Sequence, residues 1–450
     1  MQKTIKTSLA MMIGLSSSLS SMSIYAKTIE TQTIPVKETK NSRSNSLQLS
    51  NAQLKQSALE KGNWDAFNYA QLNRLILEKG HQSPNYDPKR KPYVVFDFDN
   101  TSVFLDIEEA SLIYQLENLN FKVTPAELNK IIRIGISEQN FVEDYNNKAG
   151  QPVSINTIAP DIIESYTWLY QNYVGLKGKK TLTQVKENPH YQNFITKMRY
   201  LYAAIGDTFD HDVSYPWVTY LFAGFKPEEV SHLALTAYQQ QQKQAIGPVT
   251  WTSPESLKGK AGAVSVTWEN GLRPYKDVRN LYQAFMNNGF DVYVCSASFI
   301  DVIKGVATDK SIGFNVPKQN IYAMELKHDQ NGRIKPVFNQ DYYQTQGKGK
   351  TLTIQKFLVS KYGYGPVFIS GDSEGDQNMM QDFKDTEKVL IINRLRKPTT
   401  DIGKFSKLAV DTYGQANAKY LLQGRDANTG EFIASNKSLA FGVDEAKALK

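Results

Sequence analysis

Apolar positions along this chain change their spacing several times, and each change marks an element. Across residues 64–79, Phe67, Leu72, Leu75 and Ile76 recur at the interval of one helical face, and Gly80 with the proline-flanked stretch 84–92 ends that helix. The pattern then becomes continuous. Tyr93-Val94-Val95-Phe96 is a β-branched and aromatic run of the kind that forms a strand buried on both faces of a parallel sheet. From Ile107 to about residue 260 the chain reads as helical and rich in aromatic residues, with few strand-like runs. A helix over 275–287 aligns Val278, Leu281, Tyr282 and Phe285, Gly289 stops it, and 291–295 is a strand. The next helix aligns Phe299, Val302, Ile303 and Val306. A hairpin turning at Asn331-Gly332 is predicted between 321–326 and 334–338. A helix near 351–361, a strand at 367–370 and a last strand at 388–392 follow. Strands alternating with helices predict an α/β fold, a doubly wound and mostly parallel sheet. A large helical insertion interrupts it directly after the first strand.

Composition alters this picture only at the amino end. The 450 residues are 41% hydrophobic and 22% charged, ordinary for a globular protein of one large or two medium domains. The first 26 residues depart from that average. Lys3 and Lys6 precede an apolar, small-residue stretch over 9–19, and Ser23-Ile24-Tyr25-Ala26 suits a cleavage site, which predicts a secretory signal peptide. The apolar part is too short and too rich in serine to span a bilayer, and no cysteine near the cleavage site suggests a lipid anchor. Residues 27–58 are polar and predict a flexible linker. The remaining divisions are a core over 59–107, the helical insertion over 108–264, a second core segment over 265–425 and a tail over 426–450.

Charge and cysteine usage exclude some functions. The formal charge of +7 falls by two lysines when the leader is removed, and the basic residues are dispersed, so no nucleic-acid face is indicated. Cys295 is the only cysteine and cannot form an intrachain disulfide. An exported chain without disulfides suits a bacterial periplasm. Within its strand-like run Cys295 reads as a buried, inert thiol.

Chemistry collects at the strand ends, where open α/β sheets bind their ligands. The first strand ends in Asp97-Phe98-Asp99-Asn100-Thr101, and residues two apart point the same way, so Asp97 and Asp99 can serve one site. Two carboxylates at a buried position are costly unless a metal or a reaction uses them. The second strand ends in Ser296-Ala297-Ser298 ahead of a helix whose free N–H groups suit an anion. The third ends in Gly371-Asp372-Ser373-Glu374-Gly375-Asp376, and Gly347-Lys348-Gly349-Lys350 opens the helix before it. Acids, a hydroxyl and a lysine on one sheet edge are the inventory for holding Mg²⁺ and a phosphate together.

In order and type these four motifs resemble the haloacid dehalogenase superfamily, within it the phosphatases of the phosphoserine phosphatase-like branch, over roughly residues 90–106 and 265–400. The resemblance implies a Rossmann-like core and a nucleophilic Asp97 that forms an aspartyl-phosphate. It implies Asp99 as the general acid and base, since the superfamily's dehalogenases lack an acid there. Ser296 and Lys350 would hold and neutralise the phosphoryl group. Asn100, Thr101 and Ala297 would shape the phosphate pocket. Mg²⁺ would be held by Asp97, the Asp99 carbonyl and Asp372, with Asp376 supporting the shell. Plainer roles stay open: Ser296 as a helix cap, Lys348 in place of Lys350, and Asp376 as a helix-start acid.

The same resemblance makes the helical insertion a cap that closes over the site and selects the leaving group. Its aromatic residues cluster at Tyr166, Trp168, Tyr170 and Tyr173 and again at Tyr215, Trp217 and Tyr220, with Trp268 beyond. Rings at helical spacing are either core or, with Trp168 as the anchor, a cation–π cage for a quaternary ammonium. The leader, Asp-x-Asp-Asn-Thr, Ser-Ala-Ser and the glycine–aspartate loop together resemble the secreted phosphorylcholine phosphatases, although this chain is longer in the cap. Asp106, Glu108 and Glu109 either hold an ammonium group or simply start the first cap helix. The expectation is an exported Mg²⁺-dependent phosphomonoester hydrolase acting on phosphorylcholine or a similar small amino-alcohol phosphate, with no nucleic-acid partner and no membrane span after leader removal. Alternatives are a broad-specificity acid phosphatase, a phosphoserine phosphatase-like enzyme, or a non-catalytic choline- or phosphate-binding protein.

Overall fold

In the computed structural model, which describes residues 57–450, the sheet is built outward from Tyr93–Phe96 (β1). The signal peptide and nearly all of the linker expected from the sequence lie outside the described residues. All four β1 side chains are buried, with Val94 and Phe96 in one apolar cluster and Tyr93 and Val95 in another. A strand covered on both faces needs apolar residues at every position, and this one has them. The other sheet strands are Asp291–Phe299 (β2), Ile321–Met324 (β3), Phe368–Gly371 (β4), Lys388–Ile392 (β5) and Tyr420–Gln423 (β6). Their order is β6-β5-β4-β1-β2-β3, and every pairing is parallel. The α/β class and the parallel sheet therefore agree with the sequence.

Some elements differ from expectation. β3 is a parallel partner of β2 rather than one arm of a hairpin. The hairpin instead pairs Leu326–His328 with Ile334–Phe338, so the apolar run 321–326 conceals a change of partner at Glu325. β6 escapes a periodicity search because Leu421 and Leu422 are its only aliphatic residues, yet they point into the two opposite clusters. β2 continues past Cys295 to Phe299, which puts Ser296–Ser298 within the strand instead of at a helix start.

The insertion leaves and re-enters the core at adjacent points. Val103–Phe104 pairs antiparallel with Arg273–Pro274, Phe104 facing Arg273. Between these stems run helices Ile107–Glu117 (α1), Ile155–Asn172 (α2), Pro189–Thr208 (α3), His211–Thr219 (α4) and Pro227–Gln241 (α5). The insertion also contains a twisted hairpin, Gly247–Thr252 with Ser265–Asn270, which corrects the expectation of an almost wholly helical block. Its alternating threonines pair across the strands, Thr250 with Thr267 at 2.7 Å. No helix among the described residues is long and apolar enough to cross a membrane.

Helix α5 lies directly on the core helix Ile300–Ala307 (α6). A Cβ at Gly305 would fall 2.3 Å from the Ser231 carbonyl oxygen, so only glycine permits the two backbones to approach this closely. Ser231 Oγ donates to the Asp301 carbonyl oxygen at 2.8 Å across the same contact. At the carboxyl end of the chain, residues 426–450 pack back on the core. Arg425–Asp426 pairs with Glu431–Phe432, and the Phe432 ring contacts Trp64 at 5.2 Å and Tyr275 at 4.6 Å.

Candidate active site

The turn after β1 sets the floor of the site. Asn100 adopts a φ of 57°, and the Phe98 carbonyl accepts from the Ser102 amide at 2.7 Å, which closes the chain tightly behind Asp97. Ser102 Oγ donates to the Asp97 carbonyl at 2.8 Å. Asp97 is buried, and its Oδ1 accepts from Lys350 Nζ at 2.5 Å. Thr101 Oγ1 lies 3.2 Å from Asp97 Oδ2 and 2.9 Å from Asp372 Oδ1, bridging the ends of β1 and β4. Burial, reinforced by the charge of Asp376, holds the Asp97 carboxyl well above the usual carboxylate range, with Lys350 pulling the other way.

Asp99 is fixed by two donors, the Ile107 amide at 2.7 Å and Ser298 Oγ at 2.7 Å. Burial and the neighbouring Asp106 raise its carboxyl well above the usual range. Ser296 is buried beside it, its Oγ accepting from the Ser298 amide at 3.1 Å.

Lys350 is the site lysine by position. Its Nζ reaches Asp97 and, at 2.6 Å, Asp376. Burial would lower this ammonium, but Asp376 and Asp97 outweigh it and hold it above the ordinary lysine value. Lys348 points elsewhere and pairs with Asp382 at 2.8 Å on the exposed side. The second oxygen of Asp376 accepts from the Asp372 and Ser373 amides at 2.9 and 3.1 Å. A side chain on Gly371 would strike Asp376, its Cβ falling 2.6 Å from the Asp376 Cβ, so glycine is required where β4 meets the loop.

A cleft of about 570 Å³ opens above this floor. Asp97, Asp99, Asn100, Asp106, Ser296, Ala297, Lys350 and Asp372 all line it. Thr101 and Asp376 lie beneath, at 0% and 1% exposure, joined to the lining residues by the hydrogen bonds above. Asn100 Oδ1 accepts from Arg425 at 3.2 Å. Asp106 caps α1, accepting from the Glu109 amide at 2.9 Å.

Trp168 requires a correction. It stacks on His190 at 5.4 Å and carries Lys180 over its ring at 5.0 Å, and it does not line the cleft. Tyr166 and Trp217 are buried structural residues that donate to the carbonyls of Val123 and Ile132. The cap side of the cleft is instead formed by Tyr145, Arg199, Tyr202, Asp207, His211 and Tyr215.

Sequence reasoning missed three arginines in this lining. Arg394 donates to Asp372 Oδ2 at 2.7 Å, and Arg396 stands 3.8 Å from Glu374. Both follow β5, so the strand-end rule that found the other motifs would have found them too. Arg199 sits in α3 among Phe194, Ile195, Met198 and Leu201, all buried, and a charge embedded in so apolar a run was the available signal.

Oxygens of Asp97, Asp372 and Asp376 lie within 4.8 Å of one another, all buried. Three buried carboxylates here face two cations, Lys350 and Arg394, and an all-oxygen donor set of this kind suits a hard divalent cation.

No family model matches the chain. A solved structure of a conserved, functionally unknown protein from Anaerococcus prevotii is 34% identical, with a TM-score of 0.81, over 86% of this chain and 99% of that one. The phosphorylcholine phosphatase of Pseudomonas aeruginosa is 25% identical over 286 residues, 63% of this chain. The match spans 61% of that relative's length, less than two thirds. The chain belongs to the family of the Anaerococcus prevotii protein, and over the matched stretch it is similar to the phosphorylcholine phosphatase.

Proposed function

We propose that this protein is a phosphomonoester hydrolase that works through an aspartyl-phosphate on Asp97. The observation that carries this function is the convergence on one cleft of Asp97, Asp99, Ser296 and Asp372, from three neighbouring strands, and of Lys350, from the start of a helix. Asp97 attacks phosphorus, a bond forms from its carboxylate oxygen, and the bond to the leaving alcohol breaks. Asp99, held by Ser298 and the Ile107 amide, gives its proton to the departing oxygen. Water then attacks the phosphorus of the acyl phosphate, passing a proton to Asp99, and phosphate leaves with Asp97 restored. Ser296 and Lys350 hold the phosphoryl oxygens and balance their charge.

Mg²⁺ would be held by Asp97, the Asp99 carbonyl and Asp372, with Asp376 behind them, and when bound it supplies positive charge to the phosphoryl group. The substrate class is a small phosphomonoester. Amino-alcohol phosphates are favoured because Asp106 and Asp207 line the leaving-group side and because a relative is named phosphorylcholine phosphatase. The leader-like pattern of the first residues supports export, to a periplasm. Phosphate release from a panel of phosphomonoesters, with and without chelator and with Mg²⁺ restored, tests the proposal. Chelator-sensitive turnover of several esters is expected; tight binding with no release under any condition would make the protein a binder instead.

A further inference from the structure

Asp372 is held by a charge that is set in place from the far end of the chain. Arg394 Nη1 donates to Asp372 Oδ2 at 2.7 Å, while Thr101 Oγ1 donates to the other oxygen. Asp372 is one of the three buried carboxylates suited to a divalent cation, so a cation bound there shares it with a guanidinium.

Arg394 opens a loop whose backbone needs support. Leu395 beside it has a φ of 55°, a left-handed conformation unfavourable for any residue but glycine, and surrounding contacts must hold it. Those contacts come from Asn393 and from the carboxy-terminal segment. Asn393 Oδ1 accepts from the Leu395 amide at 2.9 Å, and its Nδ2 donates to the carbonyls of Asn436 and Ala448, each at 2.9 Å. Ser438 Oγ donates to the Asn393 carbonyl at 2.6 Å and accepts from the Arg425 amide at 2.9 Å. Asn393 and Ser438 are both buried. The segment is pressed so closely on Gly424 that a Cβ there would fall 1.9 Å from the Lys437 carbonyl oxygen. Residues 435–448 thus fix the loop that carries the partner of Asp372.

We infer that Arg394, seated by the carboxy-terminal segment, competes with the divalent cation for Asp372 and keeps that cation loosely bound. This rests on the metal site proposed above and adds a control to it. The physical cause is charge. The affinity of an oxygen-lined site follows the negative charge its ligands present, and the guanidinium offsets one carboxylate of three. Burial of Asp372 limits screening of the pair by salt. A variant that merely disordered the site would bind the cation less well, so the direction of the change separates the two causes.

Calorimetric titration of Mg²⁺ into the full chain tests this without any substrate. Arg394→Gln is expected to bind Mg²⁺ about tenfold more tightly than the unaltered protein, and Arg394→Lys, which keeps the charge, within about twofold of it. Ser438→Ala leaves every charge in place and is expected to tighten binding by about threefold, through release of the loop. Unchanged or weaker binding by either Arg394→Gln or Ser438→Ala would overturn the inference. Should Arg394→Gln fail to fold, Ser438→Ala decides by the same criterion. Affinities that shift as expected in a protein that releases phosphate from no ester would uphold the inference and remove the phosphohydrolase function. No heat from any of these proteins at millimolar Mg²⁺ would remove the metal site and the inference with it.

Discussion

Glu108 in the first turn of α1 accepts the Phe299 amide at the end of β2, with 2.8 Å between Oε1 and the nitrogen. A cap residue thereby terminates a core strand. Burial raises the Glu108 carboxyl well above the usual range, with Asp106 adding to it. A neutral acid in this place is a hydrogen-bonding group rather than a charge. Glu108→Gln is therefore expected to keep near-normal stability, whereas Glu108→Ala strands the Phe299 amide and costs about 1–3 kcal/mol. Chemical denaturation of the two variants distinguishes these outcomes, and equal losses would remove the hydrogen bond as the cause.

Asp97→Asn changes the proposed nucleophile with almost no change of shape. Turnover should fall by about 10³-fold or more, with circular dichroism and melting behaviour preserved. Retained turnover would exclude the covalent route.

Gly305 governs how the cap sits on the core. Gly305→Ala places a methyl group against the Ser231 carbonyl and should cost about 1–3 kcal/mol, raising KM as α5 is displaced from α6. A stability and KM identical to the unaltered protein would show that the helices have room to spare.

Lys388 supplies a pH signature. Its amine is buried beside the Ala418 carbonyl, and burial with Arg74 lowers it to about 8. The unfolded chain keeps its proton up to about pH 10.4. Between these values the unfolded state binds more protons, so this residue's contribution to stability rises with pH across that window and is least favourable below it. Lys388→Met should raise Tm at pH 7, and the difference should shrink as pH approaches 10. A difference that is constant from pH 7 to 10 would contradict the shift.

What could be read from the sequence followed physical visibility. β1 was legible because burial on both faces demands an unbroken apolar run, and Asp97 and Asp99 stood out because charges end that run. β6 was not, since only two aliphatic residues, Leu421 and Leu422, mark it between Lys419 and Gln423. Trp168 misled for a reason present in the sequence itself. Residues two apart on a helix do not share a face, so Tyr166 and Trp168 could not both face one ligand. Tyr166 took the core side, and Trp168 stacked on His190. Arg199 carried a signal, a charge within a buried run, but Lys197 two residues earlier carries the same one and pairs with Asp161, so only tertiary packing separates the two.

The pairing of Val103–Phe104 with Arg273–Pro274 has a consequence for how the insertion is carried. Some 170 residues are threaded into the core through a gap that a two-residue ladder holds shut. The strand order does not depend on what lies between those stems, but the acids do: the Ile107 amide and the Glu108 carboxyl, the first residues past the gap, hold Asp99 and the end of β2. Any change in the seating of α1 is thereby transmitted straight to the floor of the cleft.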